Sequence, residues 1–168
     1  VLAANTHGHF DHTLGVAHLK KRYGIPFAMS LKDAFLLDNA STSGSIFGVP
    51  VGEMPSVDTD LDTTPEIRFG HTVLRVIHTP GHTPGSVVLL CGEYLFCGDT
   101  LFAGSIGRTD LEGGSSAQMA ESLRKLAKLP IPRGTQVLPG HGEFSTFGDE
   151  LDNNYFIRSA VRGNNDLF

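Results

Sequence analysis

The sequence is poor in three features that would assign it to a special class of protein. Its two cysteines, Cys91 and Cys97, are too few for the disulfide framework of a small secreted domain. No apolar run approaches the ~18 residues of a membrane helix, so we expect no membrane association. The 13 Lys and Arg face 18 Asp and Glu, a net charge of −5, which disfavours nucleic acid as a partner. We expect a cytoplasmic protein whose cysteines are small buried hydrophobic residues.

Glycine and histidine are the residues in excess. Glycine makes up 20 of the 168 residues, and four of the eight histidines lie within the first 18. That glycine content is well above the average of about 7% and indicates many loops. The length fits a single domain, 1–168, with a core of its own. Strand-like and helix-like segments alternate, so the predicted fold class is α/β or α+β.

Hydrophobic periodicity predicts the elements that carry the motifs. The predicted strands are 1–4, 26–29, 135–138 and the members of two hairpins, 66–69 with 73–77 and 87–90 with 94–96. The predicted helices are 13–23, 31–38, 117–128 and 146–157. Residues 39–64 and 101–114 are predicted as loops, and the first is long enough for a lid or a mobile segment. In the second hairpin Cys91 faces Tyr94, which argues against a disulfide with Cys97.

The densest cluster of ligand-type side chains is Thr6-His7-Gly8-His9-Phe10-Asp11-His12. In an extended segment His7, His9 and Asp11 would project to one side, and His12 to another. Imidazole nitrogens and carboxylate oxygens are ligands that suit Zn²⁺ or Fe²⁺. Four such residues exceed what one tetrahedral ion takes from a single loop. The spacing therefore favours two metal ions side by side.

Three further candidates each follow an apolar run of the sequence. They are His82, Asp99 and His141, and all three stand beside glycines. Strand ends fix the position of a ligand, while glycines let backbone and substrate approach closely. Two ions with three protein ligands each, plus one shared carboxylate, need seven ligands. The sequence offers seven: His7, His9, Asp11, His12, His82, Asp99 and His141.

These motifs, in this order, resemble the metallo-β-lactamase superfamily. The segments that carry the resemblance are 6–12, 79–86, Gly98-Asp99 and Gly140-His141-Gly142. Gly98-Asp99-Thr100-Leu101-Phe102, followed by Gly104-Ser105-Ile106-Gly107-Arg108-Thr109-Asp110, is similar in particular to glyoxalase II-like hydrolases of the short bacterial hydroxyacylglutathione hydrolase type. The resemblance implies an αββα sandwich of two related halves.

The resemblance also implies a role for each candidate ligand. His7, His9 and His82 would hold the first metal, Asp11, His12 and His141 the second, and Asp99 would bridge them. The cofactor implied is a pair of divalent ions, zinc in the first place, with iron or manganese as alternatives. A hydroxide held between them would attack the carbonyl of a small-molecule thioester. Asp11, which would orient that hydroxide, and Asp99 are the implied catalytic residues.

Two alternatives within the same fold stay open. A mononuclear iron persulfide dioxygenase uses two His and one Asp, matched here by His7, His82 and Asp99, and has a similar loop around Arg108. A lactonase or β-lactamase is the other alternative. A non-catalytic domain belongs to a different class, and the complete ligand set argues against it.

The N-terminal side departs from the family pattern. Several strands precede the first His motif in the family, whereas five residues precede Thr6 here. We expect a sandwich that lacks most of its N-terminal strands, with homo-oligomerisation or lower stability as the consequence. The family's glutathione-binding basic residues lie largely in a C-terminal domain that has no counterpart here. Arg158 is a weaker candidate for a substrate carboxylate, and Arg108 is expected to pair with Asp110.

Overall fold

The protein combines short strands and helices in residues 1–163, which are the residues that the computed structural model describes. The last five residues of the predicted domain 1–168 lie outside this range. The strands are β1 (Ala3–Ala4), β2 (Phe27–Met29), β3 (Thr59–Asp60), β4 (Glu66–Phe69), β5 (Thr72–His78), β6 (Val87–Cys91), β7 (Tyr94–Gly98), β8 (Leu101–Phe102), β9 (Ser105–Ile106), β10 (Gln136–Pro139) and β11 (Ser145–Thr146). The helices are α1 (Phe10–Thr13), α2 (Val16–Tyr23), α3 (Ala34–Asp38), α4 (Ala40–Ile46), α5 (Ser116–Lys128), α6 (Phe147–Asn153) and α7 (Tyr155–Val161). No helix within 1–163 has the length and apolarity to cross a bilayer.

A six-stranded sheet forms the larger β-layer, in the order β11-β10-β7-β6-β5-β4. Strands β4 to β7 are antiparallel neighbours, and β10 lies parallel to β7. Strands β5, β7 and β10 therefore run in the same direction. Their C-terminal ends lie at one edge of the sheet, where three of the candidate ligands follow them.

A three-stranded parallel sheet, in the order β1-β2-β3, forms the other layer. Its side chains alternate between its two faces. Phe27 and Met29 pack with Val16 of α2 and Leu37 of α3, whereas Ala28 joins a second cluster. The helices thus cover the outer face of this sheet.

The second cluster lies between the two sheets. Val87 and Leu89 of β6 pack in it with Ala28, whereas Val88 packs on the opposite face with Leu123 of α5. Because α5, α6 and α7 all contribute to the outer cluster, the layers run helix, sheet, sheet, helix. This order confirms the αββα sandwich expected of the chain.

Both predicted hairpins are present, β4 with β5 and β6 with β7. The second turns at Gly92, whose φ of +57° suits glycine. Cys91 pairs with Tyr94 across that hairpin, and both cysteines are free thiols. The predicted helix after Ser115 also forms, and the Ser115 hydroxyl accepts a hydrogen bond from the Gln118 amide at 3.3 Å.

The prediction that residues 39–64 are irregular was wrong, because α4 and β3 lie within them. The sequence of α4 is rich in Ser, Thr and Gly, which are weak helix formers. Its packing compensates, since Ala40 is buried and a Cβ on Gly44 would overlap Val51. Likewise the predicted loop 101–114 contains the two-stranded β8–β9 hairpin, which turns at Gly104 with φ +66°.

Three predicted helices are each interrupted. Of residues 13–23, Thr13 ends α1 and the second helix begins only after Gly15, while residues 31–38 begin as a 3₁₀ turn before α3. Residues 146–157 break at Asn154, whose side-chain oxygen accepts hydrogen bonds from the amides of Phe156 at 3.0 Å and Ile157 at 3.2 Å. This capping starts a new helix.

Candidate metal centre

All seven candidate ligands lie at one edge of the sandwich. The chain leaves β1 and enters the loop that carries His7 and His9, while His82, Asp99 and His141 follow β5, β7 and β10. Parallel strands bring these loops to the same edge. Residues far apart in the chain thus become neighbours.

The first group of side chains is His7, His9 and His82, which present ligand atoms within 4.8 Å of one another. Nδ1 of His9 lies 2.9 Å from Nε2 of His82. Nδ1 of His82 donates to the carbonyl oxygen of Arg108 at 2.7 Å. Since a carbonyl only accepts, Nδ1 carries the proton and Nε2 turns its lone pair toward the group.

The second group is Asp11, His12 and His141, whose ligand atoms also lie within 4.8 Å of one another. Nε2 of His12 and Nε2 of His141 are 3.2 Å apart. Oδ2 of Asp11 lies 3.2 Å from Nε2 of His141. This group is more open to solvent than the first, because Asp11 and His141 are exposed residues.

The expectation that Asp11 projects with His7 and His9 from an extended segment was wrong. His9 is the residue before α1, and the helix begins at Phe10. Asp11 and His12 therefore lie on one turn of helix and share the second group. The extended period of two holds only for His7 and His9.

Asp99 lies between the two groups. Its Oδ2 is 3.5 Å from Nε2 of His82 and 3.6 Å from Nε2 of His141, while its Oδ1 is 3.4 Å from Nε2 of His12. With His7 and His12 it also forms a third set of ligand atoms within 4.8 Å. One carboxylate thus touches histidines of both groups.

The electrostatics keep the buried imidazoles neutral. Burial, and then the neighbouring histidines, hold the pKa of His7 well below its usual value. Burial and then His82 lower the pKa of His9 to about 4, against an opposing effect of Asp11. The pKa of His12 is also lowered, mainly by burial. Neutral imidazole is the form that ligates a metal.

Two buried polar atoms support the fit of this site to metal ions. Nε2 of His7 and Oδ1 of Asp99 have no hydrogen-bond partner, although each is shielded from solvent. Unsatisfied buried polar atoms are rare unless an ion or a functional group completes them. The loop backbone is equally adapted, because a Cβ on Gly140 would collide with Asp99 Oδ1 and His12 Cε1.

Asp33 supports the loops of the first group, and the sequence analysis missed it. Oδ2 accepts hydrogen bonds from the Gly8 amide at 2.9 Å and the Thr83 hydroxyl at 2.7 Å, and Oδ1 accepts one from the Gly85 amide at 2.6 Å. Burial raises the pKa of this carboxyl group, and the three hydrogen bonds oppose that shift. In the sequence it looks like an ordinary acidic residue in the first turn of a helix, so no local signal distinguished it.

The remaining polar candidates do not join the ligand groups. Arg108 pairs with Asp110 through two hydrogen bonds of 2.6 and 2.7 Å, which confirms that prediction. His78 ends β5, and its Nδ1 lies 3.6 Å from Oδ1 of Asp62. Arg158 is exposed on α7 and is absent from the residues that line the cavity over the centre.

A cavity of about 840 Å³ opens over the two groups. His9, Asp11, His82, Asp99 and His141 all line it. A small molecule in this cavity can therefore reach ligand side chains of both groups.

Comparison with protein families and known proteins agrees with this geometry. The family model of the metallo-beta-lactamase superfamily matches residues 3–141, a range that contains all seven candidate ligands. The hydroxyacylglutathione hydrolase GloC of Haemophilus influenzae is 33% identical over 158 residues, which cover 92% of this chain and 74% of that protein.

Two solved structures with similar folds differ in what their descriptions say. The BLEG-1 B3 metallo-beta-lactamase has a TM-score of 0.83 and 38% identity, over 93% of this chain and 77% of that one. The protein TTHA1623, solved in a di-iron-bound form, has a TM-score of 0.81 and 35% identity, over 92% and 77% of the two chains. The first of these proteins is a metallo-beta-lactamase, and the second holds two iron ions.

Proposed function

Because the chain belongs to the metallo-beta-lactamase superfamily, we propose that it is a two-metal hydrolase that cleaves thioesters, of the hydroxyacylglutathione hydrolase type. The observation that carries the proposal is Asp99, whose two carboxylate oxygens lie within 3.4 to 3.6 Å of histidines in both groups. A carboxylate in this position is suited to bridge two ions. The 33% identity to GloC supports the choice of a thioester.

His7, His9 and His82 would hold the proposed first ion, Asp11, His12 and His141 would hold the second, and Asp99 would be shared. Bound divalent ions would lower the pKa of a coordinated water toward ~7 and polarise a carbonyl group. Nitrogen and carboxylate donors suit zinc, with iron or manganese as alternatives. The di-iron form of TTHA1623 supports iron as one of these alternatives.

The chain's own residues would orient the reactants. The Arg108 carbonyl fixes the ring of His82 at one nitrogen, so its other nitrogen faces the site. Asp11 faces the cavity with 40% of its side chain exposed, where it can accept a proton from an attacking water. The thiol that leaves needs no strong acid, because thiols ionise near pH ~8.5.

The proposal includes a small-molecule substrate rather than nucleic acid, in line with the net charge of −5. Two free thiols, Cys91 and Cys97, are consistent with a reducing compartment, and we propose the cytoplasm. We also propose that the chain forms homo-oligomers, which a sizing measurement would test.

The test is metal content and turnover on one preparation. Protein reconstituted with Zn²⁺ should contain about two ions per chain and hydrolyse S-lactoylglutathione or a simple S-acyl thiol. The variant His9→Ala should lose at least ~100-fold in kcat/KM, because it loses a proposed ligand. His71→Ala is the matched control, since His71 is an exposed residue in the β4–β5 turn.

The same experiment separates the alternatives. One iron per chain with oxygen-dependent activity on a persulfide would favour the mononuclear dioxygenase. Turnover of nitrocefin or of a homoserine lactone, without turnover of any thioester, would favour a β-lactamase or lactonase. If no S-acyl thiol is hydrolysed and His9→Ala behaves like the parent protein, the proposal fails.

A further inference from the structure

The walls of the cavity over the candidate metal centre are largely apolar, although its floor is polar. The floor consists of the ligand side chains that line it. The apolar residues of the walls are Phe10, Leu36, Ile46, Phe47, Phe102, Ile106 and Leu111. A volume of about 840 Å³ is in the range of small-molecule sites, which are commonly apolar with a few polar groups.

One wall exposes large apolar side chains to solvent. Ile46, at the end of α4, is 77% exposed, and Phe47, directly after it, is 58% exposed. The Phe47 ring lies 5.9 Å from the ring of Phe10, which extends the same surface. Contiguous exposed apolar groups that line a cavity mark a ligand surface, because covering them removes apolar area from water.

The opposite wall is held rigidly. Phe102 belongs to the β8–β9 hairpin, and the side-chain amide of Asn154 donates to the Ser105 carbonyl at 3.0 Å. Glu150 accepts from the Gly104 amide at 3.0 Å and from Asn154 at 2.8 Å. These buried and partly buried hydrogen bonds fix the hairpin against the C-terminal helices. The second wall is therefore formed before a ligand arrives.

The cavity provides no unpaired cation among the residues of 1–163 that line it. Arg108 is the arginine there, and Asp110 binds its guanidinium through two hydrogen bonds. Outside the ligand groups, Glu112 adds one carboxylate to the lining. The two carboxylates of a glutathione thioester and the phosphates of coenzyme A therefore meet no unpaired cationic side chain among the described residues that line the cavity.

We infer that the cavity selects a thioester with an apolar acyl chain and an uncharged thiol portion, with the acyl chain against Ile46, Phe47 and Phe102. The inference rests on the proposed thioesterase function and narrows its substrate class. In the reaction, water adds to the carbonyl carbon and the carbon–sulfur bond breaks. One oxygen and one proton of water go to the carboxylic acid, and the other proton goes to the thiol, so no oxidant or reductant is needed.

The first arm of the test measures binding without turnover. Calorimetry on the metal-loaded chain compares S-ethyl-N-acetylcysteamine with S-hexyl-N-acetylcysteamine, two thioethers that cannot be hydrolysed. A fully buried methylene strengthens binding about fourfold. We expect the hexyl compound to bind at least ~10-fold tighter, with a negative heat-capacity change on binding. S-hexylglutathione should bind more weakly than the hexyl cysteamine compound.

The second arm measures turnover of the matching thioesters, acetyl to hexanoyl. The rise of kcat/KM with chain length should follow the rise in affinity. Phe47→Ala should flatten this rise by lowering the hexanoyl value more than the acetyl value. Phe69→Ala is the matched control, because Phe69 is a 45% exposed phenylalanine in β4 that does not line the cavity.

The outcomes separate the inference from the function on which it rests. Equal affinity for the ethyl and hexyl compounds, or tighter binding of S-hexylglutathione, overturns the inference even when thioesters are hydrolysed. If the hexyl compound binds as expected but loaded protein hydrolyses no thioester of any length, the thioesterase proposal fails and the apolar ligand class stands. Identical chain-length profiles for Phe47→Ala and Phe69→Ala also overturn the inference.

Discussion

The two ligand groups differ in how firmly the protein holds them. In the first group His7 is 1% exposed and His82 is 2% exposed. In the second group the side chains of His141 and Asp11 are 55% and 40% exposed. The proposed ions would therefore occupy unequal sites joined by one carboxylate, Asp99.

The supporting contacts show the same asymmetry. Asp33 ties the loops of the first group together through Gly8 and Gly85, and the Arg108 carbonyl fixes the His82 ring. In the second group two residues lie on the four-residue helix α1, and His141 lies on a glycine-flanked loop. Preorganised ligands bind a metal more tightly, because less ordering accompanies binding. We expect the second ion to leave first on dilution or chelation.

Removing one ligand from each group tests this inequality most strongly. His82→Ala should lower kcat by more than the ~100-fold that is typical when a residue hydrogen-bonded to a metal ligand is replaced. It should also retain less than one ion per chain, because it removes a ligand from the buried group. His141→Ala should retain about one ion and lose less activity. Elemental analysis and kcat on both variants provide the measurement. Retention of one ion by His82→Ala, with none in His141→Ala, would show that the second group holds its ion more firmly than the first.

Asp33→Asn should weaken the first group selectively. The substitution turns one carboxylate oxygen into an NH₂ group, which cannot accept the hydrogen bonds that Gly8, Thr83 and Gly85 donate. Leaving such a buried donor unsatisfied lowers the free energy of unfolding by ~1–3 kcal/mol. Affinity at the first site should fall about 10-fold to 100-fold. Urea unfolding and competition with a chelator measure the two effects. Asp38→Asn is the control, because Asp38 is exposed at the end of α3; a similar loss in that variant would contradict the assigned role of Asp33.

Gly140→Ala should disturb the second group. The new Cβ would press on Asp99 and His12, and overpacking of this kind costs ~1–3 kcal/mol. We expect weaker binding of one ion while the other stays bound, as measured by stepwise chelation. Gly134→Ala is the control, since a Cβ there meets open space. Simultaneous loss of both ions would show that the two groups cannot be separated.

The smallest expected effect is a pH dependence of stability in metal-free protein. The pKa of His9 is lowered to about 4 in the folded state, whereas the unfolded value is 6.5. The unfolded chain therefore takes up protons first, and stability falls as the pH drops from 6.5 toward 4. His9→Gln should reduce this slope in urea unfolding series, whereas His71→Gln should retain it. An unchanged slope in His9→Gln would mean that His9 is not held neutral by burial.

The sequence predicted the strands and the ligand-bearing loops well where local pattern determines structure. Apolar runs between glycine turns correctly predicted both hairpins and the strand before His141. The pattern failed for α4, where Ser, Thr and Gly hide a helix that tertiary packing stabilises. The pattern also failed at Asn154, where it predicted one continuous helix. The Asn154 side chain caps the start of a second helix there, although the helical pattern continues through the neighbouring residues.

The sequence predicted the candidate metal ligands of the site but not Asp33, which holds their loops in place. His7, His9 and Asp11 stand out because ligand-type residues at short spacing are unusual. Asp33 does not stand out, because its partners Gly8 and Thr83 lie 25 and 50 residues away. A contact of that kind exists only after the chain has folded.

The sequence by itself determined which ligand atoms are available and which predicted strand each of them follows, because residue spacing and hydrophobic period are local properties. Only the tertiary structure decided how the donors divide into groups. His12 and His141 meet across 129 residues, and the helical turn of α1 places Asp11 beside them, whereas an extended segment would project it with His7 and His9. The fold likewise decided that the cavity walls are largely apolar, since Ile46 and Phe102 come from segments whose sequences predicted only loops. Such features depend on which surfaces pack together, and packing is a property of the whole chain.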